Sequence, residues 1–146
     1  MPLALAWPET KWFLLDGGAT RAGFLARAIE DLDLAGRVSV VASRAEVAGR
    51  GALRATMDAA VARSFAPPGP TAECAAPFLV PGGLLVVAEP PGGKPERWDP
   101  AGLAVLGMAV GFRRSTPTAF QVIRQGMPCP ERFPRRVGTP AKRPLF

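Results

Sequence analysis

Residues 10–25 read TKWFLLDGGATRAGFL, and this stretch decides the fold. Thr10–Asp16 is a short apolar run that ends in an acid and meets Gly17-Gly18. Such a run predicts a buried strand with a tight turn at its carboxyl end. A helix is predicted from Ala19 to Leu34, because Phe24, Leu25, Ala28, Ile29 and Leu32 fall on one helical face. Gly36 is its expected stop. A β-branched run, Arg37–Ala42 (RVSVVA), then predicts a second strand. Strand, helix, strand in this order announces an α/β domain with a mostly parallel sheet.

The same reading continues outward. Residues 44–56 are small and polar, a short helix or loop. Met57–Ala62 (MDAAVA) is a third strand, Thr71–Pro77 a short helix and Leu84–Ala88 (LLVVA) a buried strand. Pro90 to Pro95 is a loop, and Asp99 caps a helix running from Pro100 to about Val110. Phe112–Ser115 and Ala119–Arg124 form a closing pair of strands, and no periodic segment follows Gly126.

Composition narrows the chemistry. The 146 residues are 48% hydrophobic and 21% charged, with 16 Gly and 17 Pro, which describes one ordered domain rich in turns. Histidine is absent. That excludes Ser-His-Asp and Cys-His catalysis, His-ligated zinc and a histidine acid or base. Cys74 and Cys129 form no CxxC pair or disulfide framework, so a reducing compartment is expected and no metal site is. No apolar run reaches the roughly 18 residues of a membrane span. The start has no basic region of a signal peptide, so a cytoplasmic protein is expected.

Charge is distributed unevenly. Residues 1–112 carry 10 basic and 11 acidic groups, whereas residues 113–146 carry 8 basic groups and one acid. The net charge of +6 is therefore a carboxyl-terminal feature. It suggests an anionic partner, most often nucleic acid, or else a solvated tail. Within it, Arg132, Arg135, Arg136, Lys142 and Arg143 stand on a proline-rich arm with only Glu131 opposing them. Prolines deny this arm helix and sheet, and a stiff basic segment can follow a phosphate backbone at low ordering cost. The arm divides the chain into 1–126, an α/β domain, and 127–146, a basic extension.

Three places lie at predicted carboxyl ends of strands, where open α/β sheets bind ligands. Asp16 can accept both hydroxyls of a ribose, or simply cap the following helix. Ser43-Arg44-Ala45-Glu46 offers a backbone amide and a carboxyl to an adenine edge, or is a capping arrangement. Arg63 can meet a cofactor carboxylate or an RNA phosphate, or is a surface arginine paired with Glu73. Trp7, Trp12 and Trp98 are read as packing, Cys74 as core, and Asp58 as lying near solvent at the start of its strand.

The arm sequence FPRRVGTPAKRPL, residues 133–145, resembles the closing pattern YPRRxGxPxKxPL of the bacterial ribosomal RNA small subunit methyltransferase G family, also called glucose-inhibited division protein B. Upstream segments agree in order. LLDGGATRAGFL is similar to the family's LLDSxxKRxxFL, VVASRAE to VxxxRAE, MDAAVARSFAP to FDVVTARAFAP, and FLVPGGLLVVAE to LLKPGGxLLxLKG. The resemblance implies a class I, Rossmann-like, S-adenosylmethionine-dependent methyltransferase fold with helices on both sheet faces. It implies methylation of a guanine N7 in 16S rRNA, and 16S rRNA or the small ribosomal subunit as partner. It places Asp16 at the cofactor ribose, Ala45 and Glu46 beside the adenine, and Arg63 in the cofactor pocket. No catalytic acid or base is implied.

Departures from the pattern carry expectations too. The family's glycine-rich loop of the type GSGAGFPG and its first strand precede the segment that Met1–Ala6 resembles. The expectation is a sheet lacking that strand, which belongs between the TKWFLLD and MDAAVA strands, with a partner chain able to supply it. The lysine expected after GGxLL is replaced by Leu85-Val86-Val87-Ala88-Glu89. The alternative function is a non-catalytic paralogue that keeps RNA binding through its arm.

Overall fold

A computed structural model describes residues 1–90 and 92–146, so Pro91 of the expected 90–95 loop lies outside the described residues. The chain forms two compact units, Met1–Ala48 and Gly49–Phe146.

The first unit holds α1 (Pro2–Ala6), β1 (Trp12–Leu15), α2 (Ala19–Asp31), β2 (Val38–Val41) and α3 (Ala45–Ala48). The strands pair in parallel, Trp12 opposite Val38 and Leu15 opposite Val41. Parallel pairing puts both carboxyl ends at one rim, with α2 as the crossover. Ala4, Ile29, Leu34 and Val38 form its core. The buried face of α2 is Ala22 and Ile29, whereas Phe24 is 63% exposed, so the predicted apolar face is displaced. The helix ends three residues before the expected Leu34. Asp33, with φ of 52°, takes the left-handed position expected of Gly36, which aspartate tolerates better than most side chains. Trp7 and Trp12 stack with centroids 6.3 Å apart, a packing role as expected.

The second unit holds β3 (Met57–Arg63), α4 (Pro68–Ala75), β4 (Leu79–Ala88), α5 (Pro100–Val105), β5 (Met108–Arg114), β6 (Phe120–Gln125) and α6 (Thr139–Lys142). Its sheet order is β3-β4-β6-β5. The β3–β4 pair is parallel, and the pairs with β6 are antiparallel. Leu79, Leu85, Trp98, Leu103, Leu106 and Ile123 fill the core. Each sheet thus has an end strand at an open edge among the described residues, β1 in one and β3 in the other.

Further elements of the second unit differ from expectation for local reasons. Strand β4 begins at Leu79 rather than Leu84, running through Pro81-Gly82-Gly83. The register jumps there from Met57–Leu79 to Ala59–Leu84, and Gly83 is required because a Cβ would lie 2.9 Å from the Val80 carbonyl. Helix α5 stops at Val105, since Gly107 adopts φ of 75° and turns the chain into β5 at Met108. Pro68 and Pro70 start α4 earlier than Thr71, as prolines tolerate a first helical turn. The Asp99 cap is as expected, its carboxylate accepting from Ala101 N at 3.3 Å and Gly102 N at 2.8 Å. Cys74 is buried and Asp58 is exposed, also as expected.

Candidate cofactor rim and basic surface

Asp16 follows β1 directly. Its Oδ1 accepts from Gly18 N at 2.7 Å, and its Oδ2 accepts from Arg21 Nε at 2.8 Å. The Arg21 guanidinium and the Gly18 amide hold the carboxyl below its ordinary value, so it is ionised at neutral pH. An ionised carboxylate offers about four lone-pair sites, of which these two bonds use two. The other two suffice for the pair of hydroxyls on a ribose.

The sign of the linkage follows from the depressed value. A carboxylate with a lowered folded-state pKa contributes stability above its unfolded pKa of about 3.9, lost as pH falls through the folded value. We expect the Asp16 carboxyl carbon to titrate by NMR below the unfolded value, and Arg21→Ala to move the midpoint upward. An unmoved midpoint would show that Arg21 does not hold it.

The loop after β2 lies against the loop after β1. A Cβ on Gly17 would stand 3.1 Å from Arg44 Cγ, so glycine permits the close approach. Ser43 Oγ donates to Arg44 O at 3.3 Å, and the Arg44 carbonyl accepts from Val47 N and Ala48 N to open α3. Ala45 is 7% exposed, which a larger side chain would not permit, and Glu46 beside it is half-buried. The structure therefore brings the Asp16 loop together with the 43–46 loop at one rim of the first unit. Arg63 belongs to the second unit, at the carboxyl end of β3, exposed, with no side-chain hydrogen bond or ion pair among the described residues. Ser64, next to it, has φ of 52°, an uncommon conformation for a side-chain-bearing residue.

The partner expected for Arg63 is engaged elsewhere. Glu73 is fully buried on α4, and its carboxylate accepts from Arg135 N at 2.8 Å, Nε at 2.9 Å and NH2 at 2.6 Å. A buried carboxylate needs this many donors to offset its lost hydration. Arg135 also donates to the Arg143 carbonyl at 2.7 Å. One of the five expected arm cations is thus turned inward, while Arg132, Arg136, Lys142 and Arg143 stay exposed. The arm is not irregular throughout, since α6 occupies Thr139–Lys142.

Glu89, the acid that follows β4, is a second buried carboxylate. It accepts from Trp98 Nε1 at 2.8 Å and Arg97 NH1 at 3.1 Å, and so anchors the segment before α5. Neither cysteine is poised as a nucleophile: Cys74 is buried, and burial pushes the Cys129 thiol up. Sequence reasoning missed the Glu73 and Glu89 anchors, whose partners lie far along the chain or in a loop.

With this geometry in place, comparison with known proteins is decisive. The family model for GidB, rRNA small subunit methyltransferase G, matches residues 1–90. The chain belongs to this family. Among GidB relatives, ribosomal RNA small subunit methyltransferase G of Leuconostoc citreum is 34% identical over 153 residues, covering 99% of this chain and 64% of the relative. The protein of the same name from Rubrobacter xylanophilus is 36% identical over 159 residues, covering 99% of this chain and 60% of the relative. The chain therefore spans under two thirds of the length of these GidB relatives. The crystal structure of the antibiotic-resistance methyltransferase Kmr is similar in fold, with a TM-score of 0.63 at 15% identity, over 84% of this chain and 78% of that one. The α/β fold is that of class I methyltransferases. No helix among the described residues is long and apolar enough to cross a membrane.

Proposed function

We propose that this GidB-family chain acts in S-adenosylmethionine-dependent methylation of a guanine N7 in 16S rRNA, in the cytoplasm. The observation that carries the reading is the Asp16 carboxylate at the carboxyl end of β1, ionised, with two lone-pair sites beyond its own structural bonds. Asp16 accepts the ribose hydroxyls. The Ala45 main chain and the Glu46 carboxyl lie beside the adenine, and Arg63, on the second unit, is a guanidinium available to a cofactor carboxylate. The cofactor, when bound, supplies an electrophilic methyl group on a sulfonium.

The target atom suits a protein without histidine. Guanine N7 carries an unshared electron pair and no proton, so its methylation removes none and needs no general base. The protein's work is to hold donor and acceptor in line, which supplies most of the acceleration in such reactions. Arg132, Arg136, Lys142 and Arg143 then hold the RNA by its phosphates, fixing position rather than reading sequence. The open edge of β1 in the first unit offers unpaired backbone groups to a strand of another polypeptide.

The test is methyl transfer from tritiated S-adenosylmethionine to small ribosomal subunits that lack the modification. Label should appear as 7-methylguanine in 16S rRNA. Label confined to another base, or none above the level of a heat-denatured control, would refute the reading.

A further inference from the structure

The basic segment is fastened by side chains that the proposed chemistry leaves unused. Arg54 stands in the loop between α3 and β3, with its guanidinium aimed at the main chain of the arm. Its NH1 donates to Phe133 O at 2.8 Å and Gly49 O at 3.2 Å. Its NH2 donates to Cys129 O at 2.8 Å and Pro130 O at 3.1 Å. Arg50, four residues earlier, donates to Arg132 O at 3.4 Å and to Pro134 O. These two arginines form no ion pair among the described residues; they bind carbonyls of a stretch that contains Pro128, Pro130 and Pro134.

Other contacts fix the remainder. Phe133 is 3% exposed, and Arg135 is locked to Glu73. Phe146 packs on the core, where a Cβ on Gly69 would meet its carbonyl oxygen at 2.5 Å and one on Gly102 would fall on its ring. The segment between these anchors carries Arg136, Lys142 and Arg143, and Arg132 sits among the fastened carbonyls. The cations are therefore mounted on a main chain whose position is set from outside it.

We propose that Arg54 and Arg50 are positioning residues for RNA binding. They hold the main chain of 129–134 so that Arg132, Arg136, Lys142 and Arg143 form one fixed cationic surface for a phosphate backbone. This rests on reading the arm as an RNA-binding surface. Ordering the arm before binding removes an entropic cost from the binding step. The planar fork is what spans several carbonyls, and a lysine of equal charge does not reproduce it.

The test uses the full chain and a fluorescein-labelled RNA stem-loop, with anisotropy measured over a range of KCl concentrations. Arg54→Lys keeps the charge, so the slope of log K against log salt should stay unchanged while Kd rises about tenfold. Arg50→Lys, at an exposed side chain that folding tolerates, should raise Kd in the same sense with the slope again unchanged. Arg136→Gln should instead lower the slope by about 0.7 to 0.9. A purely stabilising role would lower the melting temperature of both lysine variants and leave Kd unmoved below it, which would overturn the proposal. If both lysine variants bind as the native chain does while Arg136→Gln is impaired, the positioning role fails and the RNA-binding surface stands. If the native chain itself gives no salt-dependent binding, the surface fails and the positioning role with it.

Discussion

Arg135→Ala should destabilise the second unit by about 3–5 kcal/mol, the cost typical of breaking a buried ion pair by removing one partner. The reason lies in what remains. Glu73 has a fully buried carboxylate that accepts three bonds from Arg135 side-chain atoms, at 2.6, 2.9 and 3.1 Å, plus one from the Arg135 amide at 2.8 Å. Truncation leaves the amide alone to compensate a charge in an apolar setting. Arg135 itself has its pKa raised by the Glu73 carboxylate, so it stays charged wherever the protein folds. Urea unfolding of the variant gives the number. Replacing both partners by apolar residues of similar volume, as in Glu73→Leu with Arg135→Met, should cost much less, because no charge is left uncompensated. Equal losses for the single and double variants would show that shape rather than charge pairing matters there.

The second large effect concerns RNA. Replacing Arg132, Arg136, Lys142 and Arg143 together by glutamine should weaken binding to an RNA stem-loop by about 100-fold at moderate salt. The arithmetic is that of counterion release: each phosphate neutralised contributes about 0.7–0.9 to the slope of log K against log salt, so four contribute roughly 3. All four are exposed, so their removal should leave the unfolding midpoint nearly where it was. Anisotropy titrations across a salt series, beside a urea curve, separate the two quantities. Unchanged affinity would move the RNA surface elsewhere on the molecule.

The two halves of this picture were not equally legible in the residues. β1, β2 and the Asp99 cap follow from an apolar run, a β-branched run and a capping acid, signals that act over a few neighbours. The misreadings have one cause: a local signal was outweighed by a contact distant in sequence. Gly107 looked like an interior residue of a helix ending near Val110, yet its left-handed backbone lies where a Cβ would stand 2.7 Å from the Met127 carbonyl. The apolar run Leu84–Ala88 marks only the second half of β4, which begins at Leu79 and passes through Pro81-Gly82-Gly83 by a shift of register. Charge counting found the basic arm but could not tell which cation faces inward, since the partner of Arg135 stands 62 residues away. Arg50 and Arg54 gave no sequence signal at all, because arginines binding backbone carbonyls leave no acidic counterpart to pair with them.

The strand ends that carry Asp16 and the 43–46 loop were legible in the sequence, and the structure brings those two loops to one rim of the first unit. Asp16 and the 43–46 loop meet through the close approach of Gly17 to Arg44, whereas the Gly17-Gly18 pair alone indicates only a tight turn. The inward side of the arm, where Glu73 and the two loop arginines fasten it, is the part that only the folded chain reveals.

Titration of the 146-residue chain with S-adenosylmethionine by calorimetry tests the central claim most directly. The account predicts saturable binding at one site per chain, weakened at least about tenfold by Asp16→Ala, which removes the acceptor of the ribose hydroxyls. Absence of saturable heat from the folded native chain, or binding that Asp16→Ala leaves unchanged, would contradict it.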